Sequence, residues 1–132
     1  MKQTLPTRGE IERNLSQYIQ SFYRNQLGCQ TRKVSCHIVK NQLAVAVENS
    51  LTPVERLLDD SSDNEFMRDL RDRIDNIIKS KLFPQIEEIL GVKINALAID
   101  TTLDNDFTGI VALLSATPKV RIPQSAVNKS KA

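Results

Sequence analysis

Tryptophan is absent from this chain and aromatics make up only 5% of it, so it offers no series of flat side chains on which successive bases could stack. Its core must be built from Ile, Leu and Val. Histidine occurs once, at position 37, and cysteine twice, at positions 29 and 36. Two cysteines are too few for a disulfide framework, and their spacing with His37 does not make a zinc site, so both are expected to remain thiols. No apolar run approaches the roughly 18 residues that span a bilayer, and Met1-Lys2-Gln3-Thr4-Leu5-Pro6 lacks the apolar stretch of a secretory signal. A cytoplasmic protein without direct membrane insertion is expected. The net charge of +2 owes much to Lys119, Arg121, Lys129 and Lys131, with no acid after Asp106. The body of the chain is therefore close to neutral, and nucleic acid is not an expected partner.

What is present is ordinary in amount and orderly in arrangement. Hydrophobic residues at 40% and charged residues at 26% of 132 residues suit one soluble domain. Thr7-Arg8-Gly9-Glu10 has the spacing of a capping box, and Ile11, Leu15, Tyr18, Ile19, Phe22 and Leu27 then recur on one helical face until Gly28. From Lys33 the period changes to two. Val34, Cys36 and Ile38 share one face, and after a turn at Lys40-Asn41 so do Leu43, Val45 and Val47. Thr52-Pro53-Val54-Glu55 is a second capping box opening a short helix, and Asp63 follows a polar break as the cap of a third. That third helix carries Met67, Leu70, Ile74, Ile77, Ile78, Leu82, Ile86, Ile89 and Leu90, with Pro84 predicted to kink it. A second hairpin is expected from Val92, Ile94, Ala96 and Ala98, then Ile110, Ala112 and Leu114, joined by a loop over Thr101 to Thr108.

The chain thus repeats itself, since Leu27-Gly28 and Leu90-Gly91 each close a long helix and open a hairpin. The expected fold is α+β in the order α-β-β-α-α-β-β: a four-stranded antiparallel sheet with helices packed on one face. The domain should span residues 1–118, with 119–132 a flexible basic tail. Alternate strand positions, among them Val39, Ala44, Ala46, Leu97, Ile99 and Val111, make the other face too apolar for full exposure to water. A homodimer across that face is the expected remedy.

Catalytic signals are sparse. Asp104-Asn105-Asp106-Phe107-Thr108-Gly109 starts like a calcium loop, but its twelfth position is Ser115, which reads as an acidic hairpin turn instead. His37 stands on a strand without a nucleophile or carboxylate motif tied to it and reads as structural or as a plain surface residue. Neither cofactor, metal nor catalytic residues are expected, and the chain is read as a non-enzyme. Arg68, Asp69, Arg71, Asp72, Arg73 and Asp75 form a mixed-charge run. Helical spacing pairs Arg68 with Asp72 and Arg71 with Asp75, which reads as a solvated, salt-bridged face. The sharper alternative makes Arg68, Arg71 and Arg73 an anion-binding or partner-binding site near a helix start.

The helix ending in Leu27-Gly28, the segment Glu48-Asn49-Ser50-Leu51-Thr52-Pro53-Val54-Glu55, the Arg-rich start of the long helix and Ile86-Glu87-Glu88-Ile89-Leu90-Gly91-Val92 together resemble the MpsC-type domain family. The resemblance covers about residues 8 to 120. That family consists of small bacterial proteins named for a gene beside components of a sodium-translocating, membrane-potential-generating system, and no catalytic residues come with it. The resemblance implies an accessory or regulatory protein that binds a membrane-associated ion or bicarbonate transport system. The alternative is a domain sensing a small molecule or anion, with its ligand between sheet and kinked helix near Pro84 or at the dimer interface.

Overall fold

The structure, a computed structural model, describes residues 4–59 and 63–122. Its elements run α1 (Arg8–Leu27), β1 (Lys33–Val39), β2 (Gln42–Glu48), α2 (Pro53–Asp59), α3 (Asn64–Leu90), β3 (Ile94–Thr102) and β4 (Phe107–Leu114). The four strands form one antiparallel sheet in the order β1-β2-β4-β3, so the second strand of each hairpin lies inside and the first forms an edge. The fold class, element order and helix–hairpin repeat are those the sequence predicts.

Local chemistry sets most boundaries. The Thr7 hydroxyl accepts from the Glu10 amide while the Glu10 carboxylate takes the Thr7 N–H, closing the capping box of α1. Asp63 accepts from the Phe66 amide at the start of α3. Both long helices end on a left-handed glycine, Gly28 at φ 70° and Gly91 at φ 72°. No heavy atom would crowd a side chain at Gly91, so backbone conformation alone favours glycine there. α3 continues as a helix through Pro84.

α1 packs on β1 and α3 on β3, and the two helices meet over the sheet. Between them lies a core of Ile11, Leu15, Ile19, Phe22, Leu43, Val45, Val47, Ile78, Leu82, Ile86, Ile110 and Leu114, all buried. Phe22 and Tyr23 meet edge to face with ring centroids 6.0 Å apart. Cutting any one of the fully enclosed leucines back to alanine costs about 2–5 kcal/mol.

The second hairpin departs from its sequence reading. Partner positions slip between Ile94 and Ala96, so the side chains of β3 change face after Ile94. Leu97 is buried and Ile99 half-buried against the core, whereas Ala96 and Ala98 lie on the open face, the reverse of the predicted phase. The strands also run further than expected, leaving only Leu103 to Asp106 as the turn. The end of the chain is fastened as far as residue 122. The Arg121 amide donates to Pro6 O at 2.8 Å, its guanidinium reaches Leu5 O and Glu10, and Val120 packs against the core. The remainder of the predicted tail, 123–132, lies outside the described residues.

Each edge strand carries a carboxylate plug. The Ile38 amide of β1 donates to Glu12 at 2.7 Å, and the Ile94 amide of β3 donates to Glu87 at 2.8 Å. Both glutamates come from the helix preceding their strand, so the two halves of the repeat protect their edges in the same way.

Candidate functional site

At one end of the sheet, the exit of β2, the start of α2 and the β3–β4 turn converge. Asn49 and Asp106 both adopt left-handed backbone conformations, at φ 62° and 51°, and the Asn49 amide donates to Asp106 O at 2.9 Å. The Asp106 carboxylate then receives the Leu51 amide at 2.8 Å and pairs with Arg56 of α2. The acidic turn therefore clamps the next helix in place. Directly behind it, Thr52 caps α2 by accepting from the Glu55 amide, and Glu55 Oε1 receives both the Thr52 amide and the Thr52 hydroxyl at 2.9 Å. This box turns the glutamate inward, and Glu55 is the only buried residue of α2.

Glu55 meets Arg71, a residue of α3 that is only 1% exposed. The guanidinium donates from Nη1 to Glu55 Oε1 at 2.9 Å and Ser50 O at 3.1 Å, and from Nε to Asp75 Oδ1 at 3.0 Å and Thr101 Oγ1 at 3.1 Å. Its Nη2 donates to Thr108 Oγ1 at 3.3 Å. Thr101 and Thr108 are cross-strand partners on β3 and β4, and the Thr108 hydroxyl continues to Ser50 Oγ at 2.7 Å. Thr101 also donates to both oxygens of Asp75. One cation thus joins two helices and two strands through two carboxylates and three hydroxyl or carbonyl groups.

The electrostatics of the cluster follow from its burial. Removing Asp75 from water pushes its carboxyl above the usual range, against the opposing pull of Arg71 and the Thr101 hydrogen bond. Tyr23 lies beside Thr108 and is likewise pushed upward, chiefly by burial. Two buried polar atoms, Tyr23 Oη and Glu55 Oε2, have no partner at hydrogen-bonding geometry among the described residues. Each such atom costs roughly 1–3 kcal/mol in lost solvation. Cys29 borders the same cluster, with its thiol directed at Ser50 O and Leu51 O, and burial raises it to about 11.

The three arginines singled out in the sequence are not brought together. Arg71 is enclosed as described, and its predicted pair with Asp75 forms in the interior, not on a solvated face. The reason lies in phase: Arg71 and Asp75 occupy the same α3 stripe as Met67, Ile78 and Leu82, whereas Ile77, expected inside, is exposed. Arg73 is exposed and pairs with Asp69 at 3.1 Å. Arg68 lines a shallow, open depression of about 520 Å³ with Asp63, Glu65, Phe66, Asp69 and Asp72. Four carboxylates against one guanidinium give this depression an acidic character. His37 is exposed on β1, and Cys36 is buried beneath it. Among the described residues no group of three or more His, Cys, Asp or Glu side chains is placed to hold a metal ion.

Two further surfaces lie away from this cluster. Near Pro84 an open cleft of about 440 Å³ is lined by Glu87, Glu88, Gly91, Val92 and Lys93, on the outside of α3, since Ile86, Leu90, Ile94 and Leu97 fill the space between that helix and the sheet. The helix-free face of the sheet carries Val39, Ala44, Ala96, Ala98, Val111 and Leu113 in exposed positions. Among the described residues no helix is long and apolar enough to cross a membrane.

Comparison with known proteins gives one relation. Residues 7–116 match the profile of the family described as "Na+-translocating membrane potential-generating system (MpsC)". No curated protein and no solved structure matches the chain.

Proposed function

Because the chain belongs to the MpsC family, we propose that it is a non-catalytic accessory or regulatory protein that binds a membrane-associated ion or bicarbonate transport system. The observation that carries this reading is the family relation itself, which spans nearly the whole folded domain and ties it to a sodium-translocating system. The corner formed by α2 and the first turn of α3 supports it. There Leu57 is 78% and Phe66 48% exposed, Val54 is exposed three residues before Leu57, and the acidic depression around Arg68 includes Phe66. Exposed apolar side chains next to carboxylates suit a basic, partly apolar segment of a partner protein. In this arrangement Arg68 and Arg73 act at the rim of the contact, and Arg71 holds α2 in position from within.

The test is recovery of the protein from its own cells after gentle solubilisation of membranes in mild detergent, read by native mass spectrometry. The expected species carries a transport subunit, and that subunit is lost from a Leu57→Asp, Phe66→Asp variant that keeps its helical circular dichroism. Absence of any membrane protein under every mild detergent tried would sink the reading. A small bound mass in its place would favour a sensor domain, for which the cleft beside Pro84 is the first place to search.

A further inference from the structure

The open face of the sheet follows from the register of its strands. Across β1, β2, β4 and β3, one row holds Val39, Gln42, Leu113 and Ala96, and the next holds His37, Ala44, Val111 and Ala98. The third row holds Ser35, Ala46, Gly109 and Asp100, and the fourth Lys33, Glu48, Phe107 and Thr102. Two asymmetries stand out. The apolar residues concentrate in the first two rows, where Val39 is 61% and Val111 58% exposed. The ionisable residues lie toward opposite sides, with Lys33 and His37 on β1, Glu48 beside Lys33 on β2, and Asp100 on β3.

We infer that a second copy of this chain covers this face, related by a two-fold axis that runs along the strands between the two sheets. Such an axis keeps each row opposite the same row and reverses the order of the strands. Apolar rows then meet apolar rows. β4 of one copy lies over β2 of the other, so Val111 packs on Ala44 and bulk on one side meets small residues on the other. β1 lies over β3, which sets Lys33 over Thr102 and one row from Asp100 of the other copy, while Glu48 of β2 lies over Phe107. A two-fold axis across the strands through the centre of the face would instead set Lys33 over Val39 and Asp100 over Ala98, leaving two charges on aliphatic partners where the first axis leaves only Glu48 against an aromatic ring. At strand spacings of ~4.8 Å and a rise of ~3.3 Å per residue the face measures roughly 19 Å by 23 Å. That projection, about 440 Å² per partner, is below the ~800 Å² of a standard interface and suits a weak, reversible dimer. Strand addition at the edges competes poorly, because Glu12 and Glu87 occupy edge amides on β1 and β3. The inference is independent of any transport partner, whose proposed contact lies on α2 and α3.

Sedimentation velocity of the full chain between about 1 and 100 μM tests it. The expected result is a dimer that Val111→Glu weakens at least roughly tenfold, with an unchanged circular dichroism spectrum because the side chain lies outside the protomer's own core. Should that variant fail to fold, Ala98→Arg on the neighbouring strand β3 makes the same test. Asp100→Lys alone weakens the dimer, and adding Lys33→Glu restores it, because the two positions exchange charge across the axis. A wild-type monomer throughout this range overturns the inference, as does a Val111→Glu protein that dimerises like wild type. Failure of the charge exchange to restore association overturns the axis. A monomer that dimerises only when residues 123–132 are removed would assign the face to that segment instead.

Discussion

Replacing Arg71 with methionine removes the one cation between Glu55 and Asp75 while keeping most of the side-chain volume. Five hydrogen bonds disappear with it. Breaking a buried ion pair from one side costs about 3–5 kcal/mol, because the remaining charge is left without compensation. Here two carboxylates are stranded, which argues for the top of that range. Two features work against it: Glu55 keeps its bonds from Thr52, and Asp75 can escape by taking up a proton, as its raised carboxyl already favours. A loss of about 4 kcal/mol at neutral pH is expected, a large part of the ~5–15 kcal/mol that stabilises a domain of this kind. In urea denaturation followed by circular dichroism, with a slope near ~1.5 kcal/mol/M, the midpoint should fall by about 2–3 M. Adding Glu55→Gln and Asp75→Asn to the same background should recover at least about 2 kcal/mol, since no buried charge then lacks a partner. Arg73→Ala, which breaks the exposed pair with Asp69, sets the scale from below at about 0.5 kcal/mol or less. An Arg71→Met protein within about 1 kcal/mol of wild type, or no weaker than Arg73→Ala, would refute the reasoning.

Two further outcomes follow from the buried acids. Burial raises the thiols of Cys29 and Cys36 to about 11 each. Both should therefore react with a thiol reagent at neutral pH at least about 100-fold more slowly than free cysteine, and at full speed in denaturing urea; rapid labelling of the native protein would contradict their placement. Asp75 binds its proton more tightly in the folded chain than in the unfolded one, where its ordinary value is 3.8. Its contribution to stability is therefore greatest in acid and declines as pH rises through the window above that value. Urea midpoints of wild type and Asp75→Asn compared from about pH 4 to about pH 6 should show this decline only in the wild type, and parallel curves would exclude it.

Features that depend on neighbours in the chain were legible in the sequence. The capping boxes at Thr7 and Thr52, the Asp63 cap and the two left-handed glycines each need only three or four residues to specify them, and all occur as expected. The interior of β1 and β2 follows directly from period-two alternation. β3 was misleading because a slip of register inverts every later side chain, and Ala-Leu-Ala-Ile fits either phase by pattern alone. Bulk was the available signal, since Leu97 and Ile99 gain more from burial than Ala96 and Ala98. The cluster around Arg71 was hidden by its own chemistry. Arg71 and Asp75 stand four apart on a stripe with Met67 and Ile78, yet their charges argue for the solvated side. Only Glu55, Ser50, Thr101 and Thr108, distant in sequence, make their burial tolerable, and no local pattern announces that these will meet. Glu55 in particular was accounted for by its role in the capping box.

The seam between β2 and β4 divides the molecule into two chain-local halves, and every partner pair across it, such as Val45 with Ile110, is far apart in sequence. Closing a loop of that length forfeits roughly 4 kcal/mol of chain entropy before any contact is regained. The Arg71 cluster straddles this same division: Ser50 and Glu55 come from the first half and its continuation, and Asp75, Thr101 and Thr108 from the second. The buried charges thus serve as a suture, binding the two repeated pieces to each other and to the segment by which the chain crosses between them.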